Sequence, residues 1–260
     1  MTAGDVIAHV EALAPPETAQ EWDNVGLQVG SPDTPVSTVL VCLEVTADVV
    51  DEALQAGAEL IVAHHPLIFR PMPAVRTDLP LGALIERLLG EGIAVYAAHT
   101  NLDAAAGVGT AATLAQLLGL ADIVPLMETD EADLGLVGTL AEEMSLCGVA
   151  EEIGELLGAS QVTVVGEDAA VRRVAVVPGS GGDAVSAAAS VADVLVCGDL
   201  THHDALDALA LGLAVIDPGH YATERPVVGR LAHALRERLG SGVTVVESAV
   251  VTDPFARRPC

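Results

Sequence analysis

Eight histidines and a large surplus of carboxylates give this 260-residue sequence its chemistry. Six of the histidines fall just beyond the ends of predicted strands: His64, His65, His99, His202, His203 and His220. Open α/β sheets bind their ligands at such carboxyl ends. His99 and Asp103 are four residues apart, and so are His220 and Glu224. Imidazoles and carboxylates without thiolates suit divalent zinc, iron, manganese, nickel or cobalt, and match a Cys-type structural zinc site poorly. His9 and His233 lie inside predicted helices and read as structural or solvated.

Each pairing also has a plainer alternative. Neighbouring side chains on a regular strand face opposite ways, so His64-His65 acts as a ligand pair only if the chain bends before Pro66. Otherwise it is one core and one exposed histidine. Pro226 predicts that the last helix is capped by Thr223, with His220 on the preceding loop and Glu224 in the positive first turn. A capping role alone would also account for Glu224 there. The glycine run PGSGGD follows a strand and precedes a helix, so its amides could hold a phosphate, but it lacks a lysine and reads first as a tight turn. Trp22, Phe69, Tyr96 and Tyr221, four of only five aromatic residues, lie in or beside these segments, either lining a pocket or anchoring the core beneath it.

The elements that must position these residues follow from periodicity. Val6, Ile7, Val10 and Leu13 predict a helix that starts at a Thr2–Asp5 capping box and ends at Pro15-Pro16. The loop EWDNVGLQVG comes next. Strands at STVLVCLEV, ELIVAHH and GIAVYAAH then alternate with helices at ADVVDEALQAG and LGALIERLLG. The order returns at RRVAVVPG, DVLVCG and GLAVIDPGH, with helices at GDAVSAAASVA and VVGRLAHALRERLG. A strand at LGLVGTL, a helix at CGVAEEIGELLG and a strand at QVTVVG lie between the two runs. This predicts an α/β fold built as a duplication, with halves at 1–125 and 126–260 and buried strands covered by helices. Laying one half on the other puts His64-His65 near His202-His203, His99 near His220, and Asp103 on Glu224. With no low-complexity linker between them, the halves are expected to interlock.

Composition narrows the partners. Half the residues are apolar, so a core can form without disulfides or a structural metal. Acidic residues number 37 against 11 basic ones, all arginine, for a formal charge of -26. Such a surface repels phosphate backbones and anionic membranes, which argues against nucleic acid and membrane partners. The acidic residues are scattered, as in a protein adapted to a salty cytoplasm. Cys42, Cys147, Cys197 and Cys260 show no C-x-x-C spacing and read as reduced cysteines. The first residues lack the pattern of a signal peptide and no run reaches the ~18 apolar residues of a span, so a cytoplasmic protein is expected.

The segments EWDNVGLQVG, AHHPLIF, AAHTNLDAA, GDLTHHDAL and DPGHYATE, in this order, resemble the NIF-three-like dinuclear metal centre family, many of whose members carry the name GTP cyclohydrolase 1 type 2 homolog. The resemblance spans nearly the whole chain. It implies interlinked α/β halves with mixed sheets, a toroidal homohexamer, and two divalent metal ions per chain held by His64, His65, Asp103, His220 and Glu224. The resemblance, and not the spacing, selects these five from the larger set. AAAGVGTAA after Asp103 and Pro178 in VVPGSGGD depart from the family pattern, away from those ligands. Two ions with open positions, bridged by a carboxylate and a water, acidify that water for hydrolysis. The expected function is metal-dependent hydrolysis of a small molecule such as GTP, another purine nucleotide or a phosphate ester, with His99 and His203 as catalytic proton-transfer groups. A metal carrier, iron included, and a regulatory interaction protein are the rival expectations.

Overall fold

The computed structural model describes residues 1–127 and 134–255. In chain order the elements are α1 (Ala3–Glu11), β1 (Gly26–Val29), β2 (Thr38–Cys42), α2 (Ala47–Ala56), β3 (Leu60–Ala63), α3 (Pro80–Gly90), β4 (Ala94–Ala97) and α4 (Thr100–Asp103). Next come α5 (Thr110–Leu117), β5 (Ala121–Met127), β6 (Leu134–Ser145), α6 (Leu146–Leu157), β7 (Thr163–Val165), β8 (Ala170–Ser180) and α7 (Val185–Ala189). The chain closes with β9 (Val194–Gly198), α8 (His202–Leu211), β10 (Ala214–Asp217), α9 (His220–Leu239) and β11 (Thr244–Glu247).

These elements form two compact units. One comprises 1–108 with 227–252, the other 109–226 with 253–260. The sequence expectation put the division at 125/126 and gave all of the C-terminal region to the second half. The division instead follows strand pairing, because β11 joins the edge of the first sheet beside β2.

In the first unit the sheet order is β1-β4-β3-β2-β11. β2, β3, β4 and β11 run parallel, and β1 lies antiparallel to β4. Every residue of β3 and of β4 is buried. That explains their unbroken apolar sequences, since a parallel sheet is covered on both faces. Leu40, Ile61, Leu88 and Val95 pack into one cluster with α2 and α3. Burying one such Leu or Ile contributes roughly 1.5–3 kcal/mol. The Thr2–Asp5 capping box is present at the start of α1. The expected loop EWDNVGLQVG contains β1, a strand of four residues with a register shift between Leu27 and Val29. Gly30 ends it at φ +91°, and a Cβ there would sit 2.8 Å from Ala94 Cβ. Only glycine permits that approach.

In the second unit the order is β5-β6-β8-β9-β10-β7. β8, β9 and β10 are parallel, while β6 lies antiparallel to β8 and β7 antiparallel to β10. The core beneath holds Leu146, Ile153, Leu195 and Ile216, with α6 on one side and α7 and α8 on the other. α5, β5 and β11 were not expected from the sequence. Both units nonetheless share one topology: three parallel strands adjacent in chain order (β2-β3-β4 and β8-β9-β10), with an antiparallel strand beside the third. The fold is α/β with two mixed sheets covered by helices. Among the described residues no helix is long and apolar enough to cross a membrane.

Candidate metal centre

In the first unit the chain bends directly after β3, and His64 and His65 turn toward each other, their ring centroids 4.8 Å apart. His99 follows β4 and closes the group at 5.2 Å from the His64 ring and 5.4 Å from the His65 ring. One ring nitrogen from each of the three can lie within 4.8 Å of the others. Asp103, the last residue of α4, brings Oδ1 to 3.6 Å from His64 Nε2.

Oxygen atoms set the tautomers of these rings. His64 Nδ1 lies 3.0 Å from the Ala98 carbonyl, His65 Nδ1 3.1 Å from Glu44 Oε1, and His99 Nδ1 2.9 Å from Asp23 Oδ1. A carbonyl or an ionised carboxylate only accepts, so each Nδ1 carries the proton and donates it. Each Nε2 then presents its lone pair, the arrangement in which histidine binds a cation. Burial works against ionisation of Asp23, but hydrogen bonds from the His99 ring and from the hydroxyl and amide of Thr100 outweigh it. The Asp23 carboxyl is held well below the usual carboxylate range.

The second unit builds a different pair. His220 opens α9, and Glu224 lies one turn on, with Oε2 3.0 Å from His220 Nε2. The expectation that Thr223 caps this helix is overturned. α9 starts at His220 and runs through Pro226, and the Thr223 hydroxyl instead donates to the His220 carbonyl at 2.8 Å and accepts from Gly179 N–H at 3.0 Å. A proline seven residues into a helix removes one internal donor, which the twenty-residue element tolerates. His220 and Glu224 are therefore an i, i+4 pair on one helical face.

Asp199 completes the pair, with Oδ2 2.7 Å from His220 Nδ1. It sits at φ +51°, a left-handed conformation that Asp adopts more readily than most residues. The hydrogen bond to Glu224, opposed by burial and reinforced by the charges of Glu224 and Asp199, pushes His220 up to about 9. Without a cation, a proton thus occupies the space between its Nε2 and Glu224. The run PGSGGD proves to be a means of close approach. A Cβ on Gly179, at φ +72°, would lie 2.3 Å from Glu224 Oε1, and one on Gly181 2.3 Å from Cys197 Cβ.

His202 and His203 belong to neither of these groups. They open α8 after a Thr201–Asp204 capping box, are exposed, and face each other with ring centroids 5.6 Å apart. Counted along the matched strands, the positions equivalent to His64-His65 are Gly198-Asp199, because Leu60 and Val194 hold the same place beside β2 and β8. The expected overlay of the two histidine pairs is therefore off by four residues. Asp23, Glu44 and Asp199, which anchor three of the imidazoles, were not singled out from the sequence. Glu44 and Asp199 do lie just past strand ends, the signal that singled out the histidines. Cys42 and Cys197 are buried and Cys147 is exposed, while Cys260 lies outside the described residues.

The three histidines of the first unit and the His220–Glu224 pair of the second are donors of the kind that could hold a divalent cation. Imidazole and carboxylate donors converge, and each imidazole is oriented by an oxygen on its far nitrogen. Comparison with known proteins bears on the family. The chain is 35% identical over 260 residues to a Clostridium perfringens protein named GTP cyclohydrolase 1 type 2 homolog, covering 98% of this chain and 99% of that one. It is 38% identical to the Lactococcus lactis protein of the same name, with the same coverage. A Bacillus cereus protein described as related to NIF3 superimposes with a TM-score of 0.94 at 30% identity, covering 99% of each chain. The model of the Duf34/NIF3 (NGG1p interacting factor 3) family matches residues 1–254, and the chain belongs to that family.

Proposed function

We propose that the protein holds two divalent metal ions, on His64, His65 and Asp103 in the first unit and on His220 and Glu224 in the second, and uses them to hydrolyse a small-molecule substrate. The observation that carries this reading is the shared orientation of the imidazoles: in His64, His65, His99 and His220 alike, Nδ1 is engaged by an oxygen. Bound there, the ions would supply an acidified water and a Lewis-acid clamp for a substrate oxygen.

The protein's own groups do the rest. Glu44 and Asp199 hold the His65 and His220 rings in the binding tautomer. His99, its Nδ1 proton donated to Asp23, presents Nε2 as a proton acceptor. The name that the Clostridium perfringens and Lactococcus lactis relatives carry suggests GTP or another purine nucleotide as the substrate class. A carrier that delivers metal from the same ligands is the second reading, and it rests on the same donor set.

The test is elemental analysis of purified protein, followed by product analysis with GTP and simple phosphate esters. About two ions per chain are expected, with losses in His64→Ala and in Glu224→Ala and turnover abolished in both. Fewer than one ion per chain, unaltered by either substitution, would falsify the metal reading. Stoichiometric metal without turnover of any substrate, but with rapid transfer to an apo-acceptor, would replace hydrolysis with metal delivery.

A further inference from the structure

The chain has five aromatic residues, and two of them stand out in solvent at the edge of the first-unit histidine group. Trp22 is 61% exposed and Phe69 44% exposed. Their rings meet edge to face at a centroid distance of 6.0 Å, and each lies 6.2 Å from the His99 ring, again nearly perpendicular. By contrast Tyr96, on β4 beneath, is fully buried and belongs to the core.

Large aromatics left in water need a reason, and floppy loops are not the reason here. The two loops that carry them are tied together. Ile68 N–H donates to Gln28 Oε1 at 2.9 Å, Asn24 Nδ2 donates to the Ile68 carbonyl, and Gln28 Nε2 donates to the Asn24 carbonyl at 2.7 Å. Asp23, next to Trp22, is fixed in turn by His99 and Thr100. The loops beneath both rings are thus tied down before anything binds, which lowers the ordering cost of binding. The rings do not stack on each other. In each edge-to-face contact one ring's edge meets one face of the other, and a third, flat group can stack on a face that these contacts do not use.

The geometry points to a recognition site for a planar heteroaromatic ring, a nucleobase or a close analogue, gripped by Trp22 and Phe69 beside His99. This rests on the metal-dependent reading above and deepens it by naming the part of the substrate held next to the histidines. A base–aromatic contact tolerates any base, because every base presents a π-face. Its strength therefore comes from the ring and not from charge, which suits a chain of formal charge -26 that attracts anions poorly.

Trp22 is the sole tryptophan in the chain, so its fluorescence reports this site directly. The experiment titrates guanosine monophosphate, uridine monophosphate and ribose 5-phosphate into the full-length protein, as purified and after chelation, with excitation at the red edge of the tryptophan band. Both nucleotides are expected to quench Trp22 saturably, the purine more tightly, and ribose 5-phosphate to leave it unchanged. Phe69→Leu, which keeps the reporter, should weaken nucleotide binding about tenfold while the metal content stays at the wild-type level.

Equal quenching by ribose 5-phosphate, or an affinity unaltered in Phe69→Leu, would overturn the aromatic site. A change in sedimentation coefficient in Trp22→Ala or Phe69→Ala would overturn it too, by showing that these rings serve contact between copies of the chain. Quenching that persists in protein with no metal before or after chelation would support the ring site while removing the metal reading, so the two fail separately.

Discussion

The two units build imidazole–carboxylate sets on one topology and arrive at different solutions. In the first, three histidines crowd together after β3 and β4, with their far nitrogens on Ala98, Glu44 and Asp23. In the second, the positions at the end of β9 that match His64 and His65 are Gly198 and Asp199. There the side chain has been removed at one position and turned into a ring anchor at the next. Gly198 makes room: a Cβ on it would lie 2.6 Å from both N and Cα of His220. The first unit carries its histidines on the strand ends themselves. The second empties its strand end so that a helix can bring His220 close. One strand order thus serves two placements of the imidazole-bearing element, on a loop and on a helix.

This contrast can be broken by substitution. Gly198→Ala should do the most damage, because its neighbours are backbone atoms of His220 and Gly179 that cannot move aside. A loss of about 3 kcal/mol is expected in chemical denaturation. A loss under about 1 kcal/mol would mean that the second unit does not depend on the emptied strand end.

Asp199→Asn keeps a residue that accepts the left-handed backbone but weakens the anchor on His220. Metal affinity should fall about 10- to 100-fold, with Glu44→Asn or Glu44→Gln having a similar effect through His65. Calorimetric titration of metal into the stripped variants decides this. Unchanged affinity in both would show that the Nδ1 partners are structural only.

The units should also differ in their response to pH. His220 is raised to about 9 in the folded chain, above its unfolded value near 6.5. In metal-free protein its pairing with Glu224 therefore stabilises fully below about pH 6.5 and is lost as pH rises through about 9. Cation binding has the opposite sign, strengthening over the same range because the cation displaces that proton. Glu224→Gln should flatten the melting temperature of the metal-free protein across this alkaline range. Asp103→Asn, whose carboxylate lies at the longer 3.6 Å from His64, should leave its slope in place.

The mildest change is Thr223→Val, which strips the hydroxyl from Gly179 N–H and should cost about 1 kcal/mol with little effect on metal stoichiometry. A drop in bound metal would show that the Gly179 contact also positions Glu224.

Much of this was legible in the sequence where chemistry and periodicity coincide. The buried parallel strands announced themselves as apolar runs, and their ends carried the histidines. Two kinds of feature were not legible. Short elements such as β1 and β11 owe their existence to a neighbouring strand across the sheet, which local pattern does not report. The start of α9 was misplaced because Pro226 reads locally as a first-turn residue, whereas packing of Thr223 on Gly179 extends the helix back to His220. The anchors Asp23, Glu44 and Asp199 are ordinary surface-type residues in sequence, and only the folded chain brings Asp23 to an imidazole 76 positions away.

The placement of β11 has a consequence for the order of assembly. The second sheet draws all its strands from one continuous stretch, Ala121 to Asp217, so it can close as soon as that stretch has left the ribosome. The first sheet lacks the β11 neighbour of β2 until Thr244–Glu247 emerges, after every strand of the second sheet has been made. Although four of its five strands are made before any of the second sheet's, the N-terminal unit is completed after it. His64, His65 and Asp103 must therefore wait, on an unfinished sheet, until the strands of the second unit have been translated.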